Sequence, residues 1–100
     1  MQKPTQRLKR KIEKENLWIF ILSSLKGGRK CGKDLKEMIE KRFDMLTGKV
    51  TAYKVLYLLE SENYVKSFKA GKRVYYELTK KGKKELDSGR NYLKRLSREI

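Results

Sequence analysis

Histidine is absent from this 100-residue chain, and cysteine occurs once, at Cys31. A lone thiol cannot form an internal disulfide. Without histidine, the usual zinc sites and the Ser/His or Cys/His catalytic arrangements are also ruled out. Acidic residues are scarce: 12 Asp and Glu stand against 27 Lys and Arg, a formal charge of +15. No motif places a carboxylate pair, and Gly27-Gly28 and Gly71 lack the spacing of a phosphate-binding glycine loop. Neither an enzyme nor a resident metal or cofactor is expected. The longest apolar run, Leu17 to Leu22, falls far short of the roughly 20 residues a membrane-spanning helix needs. The basic start, Lys3 to Lys14, leads to no small-residue cleavage site, so the expected location is the cytoplasm, at the nucleoid.

Positive charge is what the chain has in excess. Self-repulsion on this scale destabilises an isolated fold, which makes a polyanion the economical partner. One hundred residues suffice for a single domain with a modest core.

Thr5 is a plausible N-cap for a helix over Gln6 to Lys26, whose second half carries Trp18, Ile21, Leu22 and Leu25 at core-helix spacing. In its first half Leu8 and Ile12 form a stripe too narrow to bury, among Arg7, Lys9, Arg10, Lys11 and Lys14. That half is either a solvated basic end or a helix reaching a partner subunit or a nucleic-acid backbone. Gly27-Gly28 ends the helix. A second helix, Gly32 to Phe43, buries Leu35, Met38, Ile39 and Phe43. After the connection Asp44 to Leu46, Thr47 or Gly48 caps a third helix, which ends near Asn63.

That third helix has two dissimilar sides. With Leu56 inward at about 100° per residue, Ala52, Val55 and Leu59 join it in a core stripe. Outward lie Thr47, Val50, Thr51, Lys54, Tyr57, Leu58 and Ser61. A solvated face rarely carries Val50, Tyr57 and Leu58. A groove-binding helix needs methyl and hydroxyl groups for base edges and cations for phosphates, and Thr47, Lys49, Val50, Thr51, Lys54 and Tyr57 supply both. Two helices with a short turn between them are the helix-turn-helix arrangement.

A hairpin follows, with strands over Tyr64 to Lys69 and Lys72 to Thr79 and a turn at Ala70-Gly71. Val74, Tyr76 and Leu78 share one side, and Arg73, Tyr75 and Glu77 the other. Between Lys66 and Lys84 there are eight basic residues and one acidic one, a density that marks Lys66, Lys69, Lys72 and Arg73 as backbone-gripping candidates. Thr79 caps a last helix in which Leu86, Leu93 and Ile100 recur at heptad spacing with Leu96 and Gly89 between. Such a seam pairs with a second copy of the chain or folds back against Leu8 and Ile12. Gly82 and Gly89 each weaken the helix by about 1 kcal/mol relative to Ala, although Gly89 also allows a close helix crossing.

Two stretches resemble the PadR-like winged-helix transcriptional regulators. In that family the third helix reads Tyr-Pro-Ala-Leu, two variable residues, Leu-Glu, a short gap and Gly-Leu-Val. Here it runs Tyr53-Lys54-Val55-Leu56, Leu59-Glu60 and Asn63-Tyr64-Val65. The family's second signature, Gly and Arg before Tyr-Tyr-x-Leu-Thr-x-x-Gly, appears as Gly71, Arg73, Tyr75-Tyr76, Leu78-Thr79 and Gly82. Lys54 replaces the usual Pro, Asn63 a Gly, and Cys31 a His found in many relatives. The last of these reads as a small core residue. The resemblance implies a homodimeric DNA-binding repressor whose first and last helices pair through Leu8, Ile12, Leu86, Leu93, Leu96 and Ile100. In short relatives that interface sometimes takes a small planar aromatic effector, and the position of Trp18 is compatible with one.

The expected fold is α+β, mostly α: a winged helix-turn-helix over residues 1–85, with residues 86–100 as a C-terminal dimerisation helix of the same single domain. The expected function is sequence-specific regulation of transcription on double-stranded DNA, by a homodimer on a pseudo-palindromic operator. A non-specific architectural DNA-binding protein and an RNA-binding module are the alternatives.

Overall fold

A computed structural model describes residues 3–100. The expected first helix is two: α1, Pro4–Glu15, and α2, Leu17–Ser24, separated at Asn16 (φ −129°, ψ 37°). Lys3, not Thr5, is the N-cap of α1. Proline suits the first helical position because its φ is preset and it has no N–H to leave unpaired. The Gln6 side chain accepts the Lys3 backbone N–H at 3.0 Å. The break follows from burial: α1 buries no residue, whereas α2 buries Leu17, Ile21, Leu22 and Ser24.

A short strand that periodicity does not reveal, β1 (Lys30–Cys31), precedes α3 (Gly32–Phe43). α3 ends at Asp44 in the left-handed region (φ 50°). Next come α4, Lys49–Ser61 with Gly48 as its N-cap, then β2, Val65–Ala70, and β3, Arg73–Leu78. Asn63 takes the expected positive φ of 66°. Ala70 pairs with Arg73, so the hairpin turns at Gly71-Lys72, one residue later than expected, with Gly71 at φ 66°. The sheet order is β1-β3-β2, antiparallel throughout, with Lys30 opposite Tyr76 and Cys31 opposite Tyr75.

α5, Lys80–Glu99, begins at Thr79, whose hydroxyl oxygen accepts the Gly82 N–H at 3.0 Å. The core joins Leu17, Ile21, Leu22 and Leu25 to Leu35 and Ile39 of α3, Leu56 and Leu59 of α4, Val65 of β2 and Leu86 of α5. Phe20 meets Phe43 edge to face at 4.9 Å. Cys31 is buried and unbridged. Among the described residues no helix is long and apolar enough to cross a membrane.

Candidate nucleic-acid interface

The turn between α3 and α4 is held by one carboxylate. Glu40 accepts the Thr47 backbone N–H at 2.9 Å and the Lys36 ammonium at 3.1 Å. These contacts, the backbone hydrogen bond foremost, hold its carboxyl below the ordinary range. The start of α4 is thereby anchored to the helix it follows.

On α4 the inward stripe is as expected: Ala52, Leu56 and Leu59 are buried and Val55 packs against them. Outward, Val50 is 82% exposed and Tyr57 71%. Leu58, Lys49, Thr51 and Lys54 are exposed beside them. Thr47 requires a correction. Expected among the base-edge residues, it is only 7% exposed, and its hydroxyl is buried without a hydrogen-bond partner among the described residues. With its N–H tied to Glu40, the residue closes the turn and presents nothing outward. Periodicity also passes over Leu46, which belongs to no helix yet is 94% exposed. The only trace in the sequence is an apolar residue set between two helices.

The hairpin distributes its cations unevenly. Lys66 pairs with Glu77 across the strands at 3.3 Å. Arg73 donates to Cys31 Sγ at 3.7 Å and lies 4.0 Å from Asp34 Oδ2, which ties the hairpin to the start of α3. Lys69, near the end of β2, and Lys72, in the turn itself, are exposed and enter no ion pair among the described residues. Tyr76 packs on the core, while Tyr75 stacks on Phe68 at 6.0 Å on the other face. The Arg29 guanidinium sits 5.1 Å from the Phe68 ring centre.

Of the residues expected to pair two copies, Leu86 is the second correction. It is 1% exposed and belongs to the chain's own core, because the first half of α5 packs on α2. A Cβ at Gly89 would stand 2.9 Å from Trp18 Cη2 and 3.0 Å from Ile19 Cδ1, so this glycine does permit a close crossing. Trp18 is half-buried there. Leu8, Leu93, Leu96 and Ile100 are exposed and Ile12 is half-buried.

A helix-turn-helix followed by a basic antiparallel hairpin defines a winged helix-turn-helix protein. The chain belongs to the transcriptional regulator PadR-like family, whose model matches residues 21–88. It is similar to a PadR family transcription regulator from hypervirulent Clostridium difficile (26% identity, 81% of this chain and 90% of that one, TM-score 0.76). It is also similar to a winged-helix DNA-binding protein from STIV (28% identity, 83% and 91%, TM-score 0.75). Bacillus subtilis PadR in complex with operator DNA shares the fold (24% identity, 72% and 44%, TM-score 0.64). No curated protein matches this chain.

Proposed function

We propose that this chain is a sequence-specific regulator of transcription, a repressor that acts at the nucleoid in the cytoplasm as a homodimer on a pseudo-palindromic operator. The observation that carries the reading is the outward face of α4. Val50, Thr51 and Tyr57 lie there beside Lys49 and Lys54, all exposed, a mixture suited to base edges and phosphates together. The structural likeness to Bacillus subtilis PadR bound to operator DNA supports it. Lys54 and Tyr57 read bases, while Lys49, Lys69, Lys72 and Arg73 hold the backbone, with Lys66 contributing less because Glu77 shares its charge. Two copies paired through exposed α5 and α1 residues lay their α4 helices in major grooves about 34 Å apart.

The test is selection of bound sequences from random duplex DNA. A regulator of this kind enriches one inverted repeat. Uniform enrichment without a motif replaces it with an architectural DNA-coating protein, and preference for structured RNA in direct competition replaces it with an RNA-binding module.

A further inference from the structure

The base of α4 carries an apolar feature that phosphate contacts leave unexplained. Leu46 is nearly fully exposed and precedes Val50, also exposed, by four residues across the start of the helix. Two branched aliphatic side chains left in water forgo the favourable burial that a partner surface would give them. Neither side chain is needed by the turn, which Glu40 and the Thr47 N–H already close. The surroundings narrow what covers them. The depression beside Leu46 is lined by Glu37, Glu40 and Asp44 with Lys41 as its lining cation, and Lys36 pairs with Glu40 from beside it, so the carboxylates still outnumber the cations. A phosphate there would meet like charge, whereas an uncharged methyl group would not. Further along α4, Lys49 and Lys54 supply the cations that bring a duplex to this end of the helix. In a major groove the one apolar group a base edge presents is the C5-methyl of thymine.

Resting on the regulator reading above, we propose that Leu46 and Val50 form a thymine-reading pair: they close over C5-methyl groups at the leading end of α4 and make the operator's identity depend on thymine there. Leu46 is then a specificity residue outside the helix that does the rest of the reading.

The experiment replaces each thymine of the selected duplex, one at a time, by deoxyuridine, which removes only the methyl group. Binding is measured by fluorescence anisotropy for the wild-type chain, Leu46→Ala and Val50→Ala. At one or two positions the wild type is expected to lose about fourfold in affinity, the worth of one buried methyl-sized group, and one or both variants bind thymine and deoxyuridine equally there. Both side chains are exposed, so unchanged thermal unfolding of the variants separates recognition from folding. Equal binding of the two bases by the wild type at every position overturns the pair and leaves the regulator standing, as does full discrimination retained by both variants. Failure to select any sequence overturns the regulator reading, and this inference with it.

Discussion

Gly82 looks, by helix propensity alone, like a position where alanine would add about 1 kcal/mol. The tertiary structure reverses the sign. A Cβ there would stand 2.0 Å from the Tyr64 carbonyl oxygen and 2.9 Å from Leu78 Cδ1, and the first of these is backbone that cannot rotate away. Glycine is what lets the first turn of α5 lie against the end of the α4–β2 connection. There the Thr79 hydroxyl also donates to the Tyr64 carbonyl at 3.0 Å. Gly82→Ala is therefore expected to destabilise the fold by about 1–3 kcal/mol, the usual cost of overpacking, read as a lowered denaturant midpoint. A gain in stability would show that the close approach relaxes freely. Helix propensity marks this glycine as weak, but the reason it is there lies in Tyr64, eighteen positions earlier in the chain.

Among the elements, the α3–α4 pair depends on Glu40. Its folded pKa is depressed, by the Thr47 N–H first and Lys36 second, so the sign is that of a carboxylate stabilised by the fold. Its contribution is complete above the unfolded glutamate value of about 4.3 and is lost as pH falls through the lower folded value. Thermal unfolding of the wild type should move to lower temperature as the medium is acidified through that window. Glu40→Gln retains an acceptor for the Thr47 N–H but has no charge to lose, so its midpoint should fall less over the same interval. Parallel curves for the two proteins would remove Glu40 from the account. The helix pair itself was legible in the sequence, from the apolar spacing of α3 and the inward stripe of α4. The carboxylate that joins them was not, because a contact seven residues apart across a turn leaves no periodic mark.

For the whole molecule, a charge of +15 on 100 residues and an α1 without a buried residue leave the isolated chain with surface in need of partners. The second half of α5 exposes Leu93 and Leu96, and Ile100 is exposed just past its end, an apolar stripe among many charged residues. On the proposed homodimer, replacing Leu93 and Leu96 together by Ser is expected to shift sedimentation from two chains to one, to remove the concentration dependence of unfolding while leaving the single chain folded, since neither belongs to the core, and to weaken binding to the selected DNA at least tenfold by unlinking the half-sites. A wild-type chain that sediments as a monomer at micromolar concentration would refute the pairing. The same stripe shows the limit of heptad spacing as a guide: it continues back to Leu86, which the chain buries within itself.

The sequence alone determined the order of the helices from Gly32 onward and of the two hairpin strands, the basic hairpin, the two-sided third helix with its Gly48 cap, and the Thr79 cap of the last helix. Each of these follows from side-chain periodicity, charge density or backbone preference within a few residues. Only the tertiary structure decided that the first helix breaks at Asn16, that β1 joins the sheet, that Thr47 turns inward while Leu46 turns out, and that Leu86 is spent on the core. Those outcomes depend on which surfaces meet across the fold, and burial against a distant element overrides local pattern because removing apolar area from water outweighs the small preferences that spacing records.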